Sequence, residues 1–290
     1  MMRDETRGRL LLLTAAFLWS TGGLFAKSPS LAEIPELYRG PVSACYRALF
    51  AAACLVPFVK RRDIRWRPGL VPMSCLFAVM NLLFLSAMAK TTAAAAIFLQ
   101  STGTAWVFLF GILALKERVD RGNLAALIMA LVGIGWIVVS AQGTTATGNW
   151  LALGSGVTYA GVVISLRLLR DESSAWMIAL NHLVACLVVL PWVLTLPFSM
   201  QPLQWVTIAA MGSLQMGLPY VLFAKVLRYV KVQDAALIAL IEPVLNPVLV
   251  WLFWREVVPP ATIVGGLFIV SGLLIRTLLP TAKVEDAVDE

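Results

Sequence analysis

The chain has 290 residues, of which 60% are hydrophobic and 13% charged, with a mean hydropathy of +0.84. A soluble domain carries about 25% charged residues, so this chain cannot cover itself with polar groups and must lie in lipid. Its net charge of +7 would suit nucleic acid, but the basic residues sit between apolar stretches, where they set orientation instead.

About 20 apolar residues span a bilayer. Ten such stretches are predicted, over 10–27, 38–59, 69–88, 92–115, 123–141, 150–168, 175–197, 203–225, 233–254 and 260–279. The predicted fold class is an all-α integral membrane protein. The remaining loops are short and leave no room for a soluble catalytic domain. The first stretch, Leu10–Lys27, is too long for the apolar core of a signal peptide, and no small-residue cleavage site follows it.

Polar groups in hydrocarbon are costly, and those retained usually face a cavity or a partner. In chain order, the first stretch holds Trp19 and the second holds Tyr46 and Arg47. The third holds Asn81 and Phe84, and the fourth Gln100 and Trp106. Tyr159 lies in the sixth, Asn181 and His182 in the seventh, Gln215 and Tyr220 in the eighth. The ninth contains Glu242-Pro243 and Asn246-Pro247, two prolines that free backbone carbonyls and loosen the helix. These fourteen residues, from Trp19 to Glu242 and Asn246, are the candidates for substrate binding.

Each has a functional and a structural reading. Arg47 could grip a substrate carboxylate with its planar fork, or pair with carbonyls or Glu242 and hold the bundle. Glu242, the one acid well inside an apolar segment, could bind an ammonium group or carry a proton, or sit at a helix end. His182, the sole histidine, could titrate or simply pack. Asn81, Gln100 and Gln215 could bind a zwitterion or join helices, the latter worth about 0.6 kcal/mol on average. Trp19, Phe84, Trp106, Tyr159 and Tyr220 could line a cavity for a planar apolar group or pack in the core. Trp66, Trp150, Trp176 and Trp205 lie near segment ends and read as interface anchors.

The chain repeats itself. Glu117 and Glu256 each close a long apolar segment, 139 residues apart. The same shift pairs Leu113 with Leu252, Val119 with Val258, Gly133 with Gly272 and Ala96 with Ala235. Two units follow, 1–141 and 142–280, with a tail at 281–290. Each unit has five helices, an odd number, so the second enters the membrane from the other side. This is an inverted repeat, the arrangement in which carriers hold substrate near the midplane and alternate access. Orientation agrees. With both termini cytoplasmic, 18 of the 23 Lys and Arg residues fall on the cytoplasmic side and four outside, with Arg47 inside a helix. The symmetry is imperfect at informative places. Thr104 stands against Pro243 and Gly103 against Glu242, while aligning Pro57 with Pro191 sets Asn181 opposite Arg47.

Cys45, Cys54, Cys75 and Cys186 fall in apolar segments without metal or disulfide spacing and read as small core residues. Gly133/Gly135 and Gly265/Gly266 permit close helix contact, within one chain or between two copies. No Gly-rich phosphate loop ending in Gly-Lys-Ser/Thr occurs, so ATP is not expected to drive the protein, and no cofactor is expected.

Three places resemble the drug/metabolite transporter superfamily, in particular its EamA-type families. They are Cys45-Tyr46-Arg47-Ala48-Leu49, then Leu240-Ile241-Glu242-Pro243-Val244 with Trp254-Arg255-Glu256, and the phrases Gly133-Ile134-Gly135 and Gly265-Gly266 with Ser271-Gly272. Across its length the chain looks most similar to bacterial aromatic amino acid exporters of the YddG type. The resemblance implies a carrier of the bacterial inner membrane that moves amino acids outward and needs no enzymatic activity. The other transport reading is a multidrug or cation/proton antiporter. Its small relatives rely on an acid in the first helix, which Leu10–Lys27 lacks, although Glu242 could substitute. An intramembrane enzyme would need clustered carboxylates or a histidine constellation, which one histidine and one deep acid do not supply.

Overall fold

The computed structural model describes residues 2–115, 121–226 and 240–278. Among these residues the regular structure is entirely helical. In chain order the helices are α1 Met2–Ser20, α2 Gly22–Ala26, α3 Pro29–Ala32, α4 Glu36–Leu55, α5 Leu70–Lys90, α6 Ala93–Ser101 and α7 Gly103–Leu115. They continue with α8 Arg121–Val139, α9 Gly143–Leu168, α10 Ser174–Leu194, α11 Pro202–Ala210 and α12 Leu218–Val226. The last two are α13 Ile241–Trp254 and α14 Pro260–Leu278. In lipid every backbone polar group must find its partner within the chain, which favours helices of this kind.

Seven described helical spans are long and apolar enough to cross a membrane. Shorter apolar helices, Leu10–Ala26, Leu124–Val139 and Ile241–Trp254, occupy the first, fifth and ninth predicted stretches. The sixth begins at Gly143 rather than 150. Its polar first turns looked like loop, but Asn149 is buried and bonded to Thr91 Oγ1 at 2.7 Å. Leu113, Val139, Val206 and Leu267 are among many large apolar residues left exposed on the outside, as a lipid-facing surface requires.

Two predicted single helices are broken at a Thr-Gly pair. At Thr21-Gly22 the Thr21 hydroxyl takes the Leu18 carbonyl at 2.6 Å. At Thr102-Gly103 the Thr102 hydroxyl takes the Leu99 carbonyl at 2.5 Å. A side-chain hydroxyl competing for the helix ladder bends or ends it, and the following glycine weakens it further. A third irregularity is the π-helical turn at Met211–Gly217, between α11 and α12. Such bulges occur often at functional sites. Here Gly212 lets the turn press on α4, where an added Cβ would lie 2.6 Å from the Arg47 carbonyl.

Gly133 of α8 and Gly265 of α14 face one another within the chain, while Gly135 has open space beside it and Gly266 lies against Phe98. A Cβ on Gly133 would come within 2.4 Å of the Gly265 carbonyl, and one on Gly265 within 2.6 Å of the Gly133 carbonyl. Under the 139-residue shift this contact maps onto Gly272 and Ala126, which also touch, at 3.1 Å from such a Cβ. The small residues of this seam are therefore used inside one chain. The cysteine expectation needs correction. Cys45 and Cys186 are buried with sulfurs 3.9 Å apart, but Cys54 is half-buried and Cys75 exposed. Cys75 sits on an outward face of α5, where an apolar thiol suits lipid as well as core.

Candidate functional site

Arg47 is buried to within 2% of its surface, in the middle of α4. A bare guanidinium there would be costly, and Asn81 of α5 offsets part of that cost. Arg47 Nη2 donates to Asn81 Oδ1, and Asn81 Nδ2 donates to the Ala44 carbonyl at 2.9 Å. Two turns earlier on the same face of α5, Ser74 Oγ donates to Asn181 Oδ1 at 2.9 Å. A seven-residue spacing on a helix brings side chains back to one face, so α5 offers a polar stripe to α4 and α10.

The rest of the cluster is less satisfied. Arg47 Nε, both ring nitrogens of His182, Gln215 Oε1 and Asn246 Oδ1 are buried without a hydrogen-bond partner. His182 is fully buried and meets the rings of Phe77 and Tyr220 edge-on, with centroids 4.8 and 6.1 Å away. Tyr220 in turn meets Trp19 at 5.4 Å, and Trp19 also meets Phe223 at 5.7 Å. Gln215, in the π turn, donates from Nε2 to the Trp19 carbonyl at 3.3 Å, just before the break in the first helix. Asn246 of α13 packs against the same break, where a Cβ on Gly23 would fall 2.2 Å from its Oδ1. Glu242 lies one turn earlier on α13, half-buried, and within electrostatic reach of Arg47, Tyr159 and Tyr220.

The structure thus brings together Trp19, Arg47, Asn81, His182, Gln215, Tyr220, Glu242 and Asn246, with Tyr159 at the edge. Tyr159 is 40% exposed and lies against Gly103 at the second helix break. Other sequence candidates stand apart. Tyr46 points away from Arg47, meets Trp205 with rings tilted at 58° and centroids 4.6 Å apart, and lines a separate cavity of about 300 Å³ with Val42, Phe198 and Met200. Adjacent residues on a helix face different ways, which explains the split. Asn181 is engaged by Ser74. Phe84 packs with Ala44, Ala96, Met211 and Val250 in an apolar core. Trp106 Nε1 donates to Thr102 Oγ1 at 3.2 Å, and Gln100 is half-buried near the same break.

Ser74 and Phe77 were missed. Their signal was the spacing from Asn81 along one helix, which needs a known neighbour before it means anything. Also missed was the role of Glu256, expected only to mark a helix end. Glu256 Oε1 meets Lys27 Nζ at 2.8 Å, and its Oε2 accepts from the Ala93 backbone N–H at 2.8 Å. Its counterpart Glu117 lies outside the described residues. Among the described residues no group of three metal-ligating side chains comes together.

The arrangement can accept an anion at Arg47 and a cation at Glu242, beside aromatic rings and unpaired amide oxygens. A model of the EamA-like transporter family matches residues 6–139 and again 146–278. An uncharacterised transporter of Archaeoglobus fulgidus is 28% identical over 234 residues, spanning 79% of this chain and 83% of that one. The uncharacterised transporter YwfM of Bacillus subtilis is 26% identical over 93% of this chain and 94% of its own. The pseudopaline exporter CntI of Pseudomonas aeruginosa is 26% identical over 91% and 93%. A protein of known crystal structure shares the fold with a TM-score of 0.63 at 18% identity, covering 94% of this chain and 98% of that one.

Proposed function

We propose that this chain, which belongs to the EamA-like transporter family, exports amino acids, aromatic and other neutral ones, or similar zwitterionic metabolites. The setting would be the bacterial inner membrane, crossed ten times with both termini in the cytoplasm. The two units, 1–141 and 142–280, would be inverted repeats that rock about a central site. The double family match and the shift-related contacts Gly133–Gly265 and Gly272–Ala126 support the repeat. A relative named as an exporter supports the outward direction.

One observation carries the substrate class. Buried atoms of Arg47, His182, Gln215 and Asn246 lack partners in one cluster that also holds Glu242. Each orphaned buried polar group costs roughly 1–3 kcal/mol, a cost a polar ligand relieves. In this reading the substrate carboxylate meets Arg47 at its free Nε, while Asn81 holds Nη2 and fixes the fork. The ammonium meets Glu242. Trp19, Tyr220 and the edge of Phe77 flank the side chain, favouring planar apolar groups. Binding energy then favours the occluded state, and release requires the halves to move apart on one side.

The test is uptake of a panel of labelled amino acids into proteoliposomes, with and without a pH gradient. Aromatic amino acids should move fastest, and Glu242→Gln should abolish any response to the gradient. Transport of organic cations without amino acids would replace this reading with a drug/proton antiporter, for which Glu242 within electrostatic reach of Tyr220 is the favourable feature.

A further inference from the structure

At one end of the bundle three helices that never meet in sequence are joined by a single carboxylate. The α13 helix ends at Trp254, and Arg255 follows in the left-handed conformation with φ 55° and ψ 29°. That turn carries Glu256 across to Lys27, at the end of the broken first helix, with oxygen and nitrogen 2.8 Å apart. Both side chains are less than one-fifth exposed. Lys27 Nζ also donates to the Thr91 carbonyl at 2.5 Å. The second oxygen of Glu256 takes the Ala93 N–H at the start of α6, where a carboxylate also favours the positive end of the helix dipole. Trp254 Nε1 donates to the Leu24 carbonyl at 2.7 Å and closes the same joint.

Two of these three helices carry residues of the central cluster, and the fourth segment touches its edge where Gly103 meets Tyr159. The first carries Trp19 and the Gly22-Gly23 break, the fourth segment carries the Thr102 break, and α13 carries Glu242 and Asn246. A substrate leaving by this end must part them. We propose that Lys27 and Glu256 are gating residues, an ion-pair latch that shuts the outer end of the pathway and must break in every transport cycle. This inference rests on the transport reading above.

Gating is read without any substrate by placing a cysteine under the latch. Ala26, 7% exposed and next to Lys27, is replaced as Ala26→Cys. Its reaction with a membrane-impermeant maleimide is followed from outside intact cells, against a chain carrying the four native cysteines alone. Labelling should be slow with the latch intact. Glu256→Gln or Lys27→Ala should speed it roughly tenfold, the factor expected when about 1.4 kcal/mol leaves the closed state. Lys27→Arg should keep it slow, and Thr92→Ala, which weakens the α6 cap without touching the ion pair, should leave it unchanged. Equal labelling in all of these overturns the latch, whatever the amino acid panel shows. If the charge variants do not reach the membrane, the charge swap Lys27→Glu with Glu256→Lys decides: labelling at Ala26→Cys as slow as with the native pair supports the latch, and fast labelling overturns it.

Discussion

The centre of the bundle and its latched end meet the same difficulty in opposite ways. Both place charge where water is scarce. At the end, the carboxylate of Glu256 has a cation on one oxygen and a helix N–H on the other, and Lys27 adds the Thr91 carbonyl. In the centre, Arg47 keeps an unpartnered Nε, and His182, Gln215 and Asn246 keep unpartnered atoms. A fully satisfied polar network rigidifies one arrangement, and a partly satisfied one is costly until something completes it. In the proposed reading the end holds one conformation and the centre is completed by a ligand.

That contrast can be broken most severely at Arg47. Arg47→Ala removes the cation that acts on Glu242 and the donor to Asn81 Oδ1. A hydrogen bond to a charged group is worth about 1.5–3 kcal/mol, so with the proposed carboxylate site gone export in proteoliposomes should fall by roughly ten- to a hundredfold. Arg47→Lys should retain folding while raising the KM, since an ammonium keeps the charge without the fork. An unaltered KM would make Arg47 structural.

A smaller effect is expected where the broken first helix meets Asn246. A side chain on Gly23 would strike Asn246 Oδ1 and Val250. Overpacking of this kind costs about 1–3 kcal/mol, so Gly23→Val should lower the thermal midpoint in detergent by several degrees and slow export. Gly135, with open space beside it, is the control, and Gly135→Ala should change neither. Thr92 sits at the quiet end of the scale. Its Oγ1 accepts from Ala95 N at 3.2 Å as the cap of α6, a role worth about 1 kcal/mol. Thr92→Ala should shift the midpoint slightly and leave substrate KM unaltered.

Much of the fold was legible because lipid imposes one rule on every segment. A stretch of apolar residues long enough to cross must be helical, and the helices found lie where the apolar stretches lie. Arg47 and Glu242 were legible for the related reason that charge in hydrocarbon needs a purpose. The breaks at Thr21 and Thr102 were harder. A threonine before a glycine is common, and only its hydroxyl turning onto the i−3 carbonyl makes it a hinge. The division between Tyr46 and Arg47 was not legible at all, since adjacent residues differ in facing by a rotation that only packing fixes. Glu256 was visible as half of a repeat, but its meaning depends on Lys27, 229 residues earlier in the chain.

Composition and spacing by themselves determined that this is a helical membrane protein, because hydrophobicity and periodicity are local properties summed along the chain. Only the tertiary structure decided which polar groups satisfy one another and which are left waiting. A hydrogen bond or an ion pair depends on angstrom-scale distances between residues far apart in sequence, and those distances exist only once the helices have packed.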